Sequence, residues 1–182
     1  GFNEKGERFS HESMVPMIGV YPTGPYDPLK IPVIIIHGLW SNPLDVMPLA
    51  NEIRGDPVIR ERYQVCFYAY EAENPILQNA ARFRKELGDW RKRVDPEDDD
   101  PAPRNVVLIG HSMGGLLAKF MIKDVGARLW RVHRGTTSFE EVDAAPDDKR
   151  RLENEYFPES LPDVKRVIFM ATPHLGSERA GG

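Results

Sequence analysis

The sequence predicts an α/β protein built on a mostly parallel sheet with helices on both faces. Short apolar, β-branched runs alternate along the chain with amphipathic helical stretches, in the order strand, helix, strand, helix, strand, helix, strand. That alternation is the pattern of right-handed β-α-β crossovers. The strand runs are apolar almost throughout, as expected of parallel strands buried on both faces. Three of them also run into unusual sequences, HGLW, GHSMGG and ATPHLGS, and sheets of this kind carry their sites at the carboxyl ends of strands. These three segments are therefore expected to converge.

Residues 1–30, rich in Gly, Pro and charge with PTGP and YDP as turn signals, read as an N-terminal lead-in. Ile31 to Ile36 is the first strand, with Pro32 near its start where a missing N–H is tolerated. A short helix is expected over Met47 to Arg54, with Pro48 in its first turn and Gly55 at its exit. Asp56-Pro57 opens a helical turn through Arg62 by the logic of an acidic cap followed by proline. Val65 to Tyr70 is the second strand. Asn74-Pro75 is expected to cap the next helix, where Ile76, Leu77, Ala80, Phe83, Leu87 and Trp90 recur at helical spacing with Arg and Lys between them. After DPEDDDPAPR at 95–104 comes the strand Val106 to Ile109. A helix follows, carried by Leu116, Leu117, Phe120 and Met121, with Gly126 as its stop signal. Residues 127–163 are charged and irregular with one expected helix around Asp147 to Tyr156, and Val167 to Met170 is the fourth strand. No internal repeat is visible.

The 182 residues carry 24 basic and 28 acidic side chains, a net charge of −4, which suits one globular domain and offers no basic stripe for nucleic acid. No run reaches the ~18 apolar residues of a membrane helix, and GFNEKGERFS lacks the apolar core of a signal peptide. The chain as written is expected to be soluble. It begins with Gly rather than Met, so an upstream segment is open and the compartment is left unassigned. Cys66, within the apolar run VCFYAY, reads as a small core residue rather than a reactive thiol. The acidic run at 95–104 lacks the alternating ligands and glycine of a calcium loop, so it reads as a solvated loop, and no metal or cofactor is expected.

Gly110-His111-Ser112-Met113-Gly114 matches a Gly-x-Ser-x-Gly pattern that chance produces about once in 3,000 windows, too often to argue from alone. Context discriminates, because a nucleophile elbow needs a strand before it and a helix after it, and both are expected here. A sharp strand-to-helix turn would lift the Ser112 side chain out of the packed core. Its hydroxyl is a poor nucleophile until an imidazole takes its proton. The helix beginning there points N–H groups and the positive end of its dipole at the reaction centre.

IPVIIIHGLW, then GHSMGG, then VIFMATPHLGS together resemble the lipase and esterase branch of the alpha/beta-hydrolase superfamily, over roughly residues 30–123 and 164–180. The resemblance implies that Ser112 is the nucleophile of an acyl-enzyme mechanism and that the N–H groups of Leu39 and Met113 form an oxyanion hole. It makes His37, Gly38, Gly110, His111 and Gly114 the loop that supports them, with Gly38 keeping its loop close to Ser112. Trp40 and His174 are candidates to line a pocket. For His174 a packing or loop-anchoring role stands beside that of triad base, and His133 reads as surface. Leu39, Trp40, Leu44 and Val46 form either an apolar rim for acyl chains or simply the packing of the first helix.

In the resembling enzymes the triad acid and histidine lie on two strands beyond the ATPH segment, whereas this chain ends at Gly182. Asp124 and Asp143 fall in the wrong part of the topology and read as surface. The triad acid and base are therefore expected outside this chain, either in a longer protein or in a completing chain. The domain reading is a lead-in at 1–30 and the N-terminal part of a hydrolase domain at 31–182. Within it, residues 127–163 form a cap or a surface excursion. The expected substrate is a small-molecule acyl ester, with a lipid surface and an oligomer among the partners left open. A non-catalytic scaffold keeping the fold and an acyltransferase are the rival readings.

Overall fold

The computed structural model describes residues 18–176, so the expectations for residues 1–17 of the lead-in and for Ser177 to Gly182 lie outside the described residues. Five strands form one sheet in the order β1-β3-β2-β4-β5. They are β1 (Gly19–Pro22), β2 (Ile31–Ile36), β3 (Tyr63–Ala69), β4 (Val106–His111) and β5 (Val164–Met170). The last four run parallel and β1 pairs antiparallel to β3 at the edge. The helices are α1 (Met47–Gly55), α2 (Pro57–Arg62), α3 (Ile76–Val94), α4 (Met113–Phe120), α5 (Arg128–Arg134) and α6 (Pro146–Tyr156).

Period-two alternation distributes the strand side chains between two cores. Ile34, Ile36, Cys66, Tyr68 and Leu108 face α3 and α4, which contribute Ala80, Phe83, Leu87, Trp90, Leu117 and Ala118. Val33, Ile35, Val65, Phe67 and Ile109 face the other way, against Val46 and Ala50 around α1. A strand buried on both sides has no polar face to present, hence the unbroken Ile31–Ile36 run. Pro32 is accommodated because the ladder to β4 begins only at Val33. Cys66 is fully buried, and burial pushes its thiol pKa up to about 12, which leaves it inert as a nucleophile.

Several expectations need correction. The lead-in contains a strand, β1, anchored further by Thr23, whose N–H and hydroxyl both donate to the Val65 carbonyl. Asn74 does not cap α3: its side chain donates to the Glu71 carboxylate, Pro75 occupies the cap position, and the buried Asn79 amide donates back to the Glu71 and Asn74 carbonyls. The α4 helix ends at Phe120 rather than running to Gly126, because the Met121 carbonyl takes the Leu161 N–H instead of continuing the helical ladder. Asp56, by contrast, caps α2 as expected, accepting from the Val58 and Ile59 amides.

Residues 127–163 hold two helices, not one. Trp130 of α5 is buried among Phe139, Tyr156 and Phe157, and its indole N–H donates to the Thr137 carbonyl. This local cluster docks sideways: α6 packs on α3, and the Arg84 guanidinium donates to the carbonyls of Phe120 and Glu159. Among the described residues no helix is long and apolar enough to cross a membrane.

Candidate active site

The parallel register aligns the strand ends. Ile36 pairs with Gly110 and His111 with Met170, so the segments after β2, β4 and β5 leave the sheet side by side. The Ser112 N–H donates to the Met170 carbonyl at 2.8 Å, pinning the turn to its neighbour. HGLW, GHSM and ATPH thus meet at the carboxyl end of the sheet, as expected. Each segment also contains a non-glycine residue in the left-handed region: Trp40 at φ 56°, Ser112 at φ 52° and Ala171 at φ 48°. Such conformations cost about 1–3 kcal/mol apiece and persist only where packing over-determines them. At Ser112 the strain buys direction, reversing the chain from β4 into α4 with the side chain at the turn's apex.

Two close approaches hold that apex. A Cβ on Gly38 would lie 3.0 Å from the Ser112 Cβ, so the β2 loop rests directly against the serine. A Cβ on Gly114 would lie 2.4 Å from the carbonyl oxygens of both Ile36 and His37. The first turn of α4 therefore packs backbone to backbone on the end of β2. Gly110 belongs to the same close packing, with a Cβ there falling 2.4 Å from the Gly115 Cα. Sequence reasoning missed Gly115, where a Cβ would lie 1.9 Å from the Thr172 Oγ1, although the doubled glycine in GHSMGG signals it.

Ser112 is half-buried, and among the described residues its hydroxyl has no hydrogen-bond partner. Among those residues the amides of Leu39 and Met113 likewise donate to no acceptor. Ser112 thus stands at the N-terminus of α4, where main-chain N–H groups are left without intrahelical acceptors.

His37 is buried, stacked on the Tyr70 ring at 4.3 Å. Its Nδ1 lies 3.0 Å from the Gly38 carbonyl, which can only accept, so Nδ1 carries the proton. The Tyr70 hydroxyl in turn donates to the His37 carbonyl at 2.8 Å. His37 thus orients the β2 loop, and Tyr70 supports it from β3's far end, a role the sequence did not suggest. Burial lowers the His37 pKa against the opposing pull of the Gly38 carbonyl. The neutral ring is favoured in the fold, so stability from this group is complete above the unfolded value of about 6.5 and is lost as pH falls below it. Chemical denaturation at stepped pH should show a steeper acid loss for the wild type than for His37→Gln.

His111 is half-buried beside Gly38, while His174 is exposed with its ring edge-on to Phe169 at 4.7 Å. His133, Asp124 and Asp143 are exposed, as expected. The residues following β2 divide: Trp40 and Leu44 stand 73% and 62% exposed, Val46 is buried against α1's core, and Leu39 is half-buried against the other face. Of that quartet Val46 packs around the first helix, Leu39 packs on the opposite core, and Trp40 and Leu44 are left exposed.

A mostly parallel sheet with a strained serine turn between strand and helix is the arrangement of the alpha/beta-hydrolase fold. Residues 28–180 match a family described as "Putative serine esterase (DUF676)", and the chain belongs to that family. It is similar to the mature lipase BlEst2 of Bacillus licheniformis at 20% identity and a TM-score of 0.50, over 88% of this chain and 49% of that one. The propeptide form of the same lipase matches with the same identity and TM-score, over 88% of this chain and 27% of that one. An esterase of Thermogutta terrifontis, solved with butyrate bound, matches at 11% identity and a TM-score of 0.48, over 88% of this chain and 53% of that one. The chain thus spans about half the length of the mature lipase it matches. No curated protein is significantly similar to it.

Proposed function

We propose that this chain carries the nucleophile and oxyanion hole of a serine carboxylic-ester hydrolase acting on acyl esters of lipid-like character. The observation that supports it best is the free Ser112 hydroxyl at a strained turn, flanked by the uncommitted amides of Leu39 and Met113. Ser112 Oγ attacks the ester carbonyl as an imidazole takes its proton, and the tetrahedral oxyanion is held by the two amides. The imidazole then returns the proton to the leaving alcohol, and water cleaves the acyl-enzyme in the reverse sense. The exposed Trp40 and Leu44 beside the hole supply an apolar rim for the acyl chain. This reading takes the triad acid and imidazole from outside the described residues, in keeping with a chain that spans about half of the mature lipase it matches. A fluorophosphonate probe should label the full-length protein on Ser112. Labelling elsewhere, or none in a folded sample, would overturn the reading, and product analysis with competing alcohols separates hydrolysis from acyl transfer.

The same reading bears on β5, the edge strand among the described residues, whose Ile168 and Phe169 are exposed on opposite faces of the sheet. Exposed apolar edges template association. The 182-residue polypeptide expressed alone is therefore expected to self-associate on size-exclusion chromatography; a monodisperse monomer with a cooperative melt would contradict this.

A further inference from the structure

The loop between α3 and β4, at the end of the sheet opposite Ser112, gathers the carboxylates of Asp95, Asp99 and Asp100, none of which forms a salt bridge among the described residues. One oxygen from each of Asp95, Asp99 and Asp100 lies within 4.8 Å of the other two. Two oxygens bound to one calcium ion at 2.3–2.6 Å can be no farther apart than about 5 Å, so the three already occupy positions a single ion could bridge. Proximity alone would be unremarkable in an exposed acidic loop. Asp95, however, is 4% exposed, and its Oδ2 is buried with no hydrogen-bond partner. A buried carboxylate oxygen without a donor is costly unless something positive meets it.

The remaining contacts leave ligand capacity in the right places. Asp95 Oδ1 accepts the Asp99 N–H, which leaves Oδ2. Asp100 Oδ2 accepts the Tyr26 hydroxyl, which leaves Oδ1. The Asp99 carboxylate is exposed and makes no hydrogen bond among the described residues. The nearby guanidinium groups are committed elsewhere: Arg91 pairs with Asp98 and Asp163, and Arg104 with Asp98.

We propose that Asp95, Asp99 and Asp100 form a structural calcium site. The donor set is all oxygen, with no His or Cys, which selects a hard cation. Three carboxylates on a turn leave room for water and an irregular shell, which suits calcium better than the octahedral demands of magnesium. The sequence lacks a calcium-loop spacing because the ligands are assembled differently: one comes from the residue capping α3 and two from the turn after it. A bound ion would join the end of α3 to the approach to β4 and, through Tyr26, to the lead-in. Ser112 lies the length of β4 away, about 20 Å for six residues, so the ion's role is stability rather than chemistry.

Terbium provides the test, because Tyr26 touches Asp100 and its ring lies 6.4 Å from Trp90, close enough to sensitise a bound lanthanide. The full-length protein should show terbium luminescence that calcium displaces and magnesium displaces far less well. Calcium should raise its Tm reversibly, with chelator restoring the original value. Asp99→Asn, at an exposed position that cannot compromise the core, should lower calcium affinity roughly tenfold or more, and Asp95→Asn should abolish the Tm response. No sensitised luminescence from folded wild type, a Tm indifferent to millimolar calcium, equal displacement by magnesium, or unchanged affinity in both variants would each overturn the assignment.

Discussion

On the proposed mechanism, Ser112→Ala in the full-length protein is expected to lower kcat for ester hydrolysis by about 10⁶-fold, the scale of loss when the nucleophilic serine of such a triad is removed. The fold should survive, since Ser112 is half-buried and its hydroxyl holds nothing in place. The floor is set by what the variant would retain in the proposed mechanism, substrate positioning and the Leu39 and Met113 amides, worth about 10³–10⁴ over water in comparable sites. Because those donors are main-chain groups, replacing the Met113 or Leu39 side chain should cost far less than the about 3–4 kcal/mol attached to losing an oxyanion donor. Steady-state kinetics beside a fluorophosphonate labelling assay separates the outcomes. A Ser112→Ala enzyme that keeps even a tenth of wild-type kcat would remove Ser112 from the chemistry. Wild-type KM with collapsed kcat is the expected signature.

How much of this could be read from the sequence depends on whether the controlling interaction is local. The Ile31–Ile36 strand was legible because burial on both faces forces a continuous apolar run, and α2 because Asp56 and Pro57 act within one turn. The α3 face was legible for the same kind of reason: Ala80, Phe83, Leu87 and Trp90 record its contact with the sheet in their spacing. What was missed is held by distant partners. The strand β1 is only four residues long, from a glycine to a proline, and exists because β3 offers it an edge, 44 residues or more along the chain. The end of α4 is decided by Leu161 taking the Met121 carbonyl, and no residue near 121 announces it. The α5 helix, RLWRVHR, shows no continuous apolar face, since Val132 is 89% exposed and Trp130 alone anchors it.

The site divides in the same way. Ser112 and the glycines around it were visible because backbone contact at van der Waals distance admits no other residue. Tyr70 and Thr172 were not, because a hydroxyl donated to the His37 carbonyl and a methyl-and-hydroxyl wall against Gly115 use residue types common anywhere in a core. Asp95 is the instructive case. Its acidic neighbourhood looked like solvated loop, and only its burial with an oxygen left over distinguishes it from the exposed Glu97 and Asp98 beside it.

Gly114→Ala is the substitution expected to damage the fold most for the fewest atoms. The added Cβ would sit 2.4 Å from two carbonyl oxygens, about 1 Å inside the 3.4 Å of ordinary contact, and both are main-chain groups: Ile36 ends the central strand β2 and His37 follows it. No rotamer change can relieve it, so α4 must lift away from the sheet. Overpacking typically costs about 1–3 kcal/mol, and a clash with two main-chain carbonyls belongs at or above the top of that range. For a domain of this size about 3 kcal/mol corresponds to a Tm lower by about 6–12 °C. Because the displaced turn carries Ser112, the probe-labelling rate should fall as well, by about 10²-fold for an ångström of misplacement. Two companions make the measurement discriminating. Gly115→Ala clashes mainly with the Thr172 side chain, at 1.9 Å from its Oγ1, so Thr172→Ala should recover part of the lost Tm although the Thr172 Cβ stays 2.9 Å away. Gly88→Ala, in the middle of α3 with nothing within 4 Å, should instead raise stability by about 0.5–1 kcal/mol. If Gly114→Ala melts within a degree of wild type, the first turn of α4 does not rest on the end of β2, and the strained serine turn loses that support.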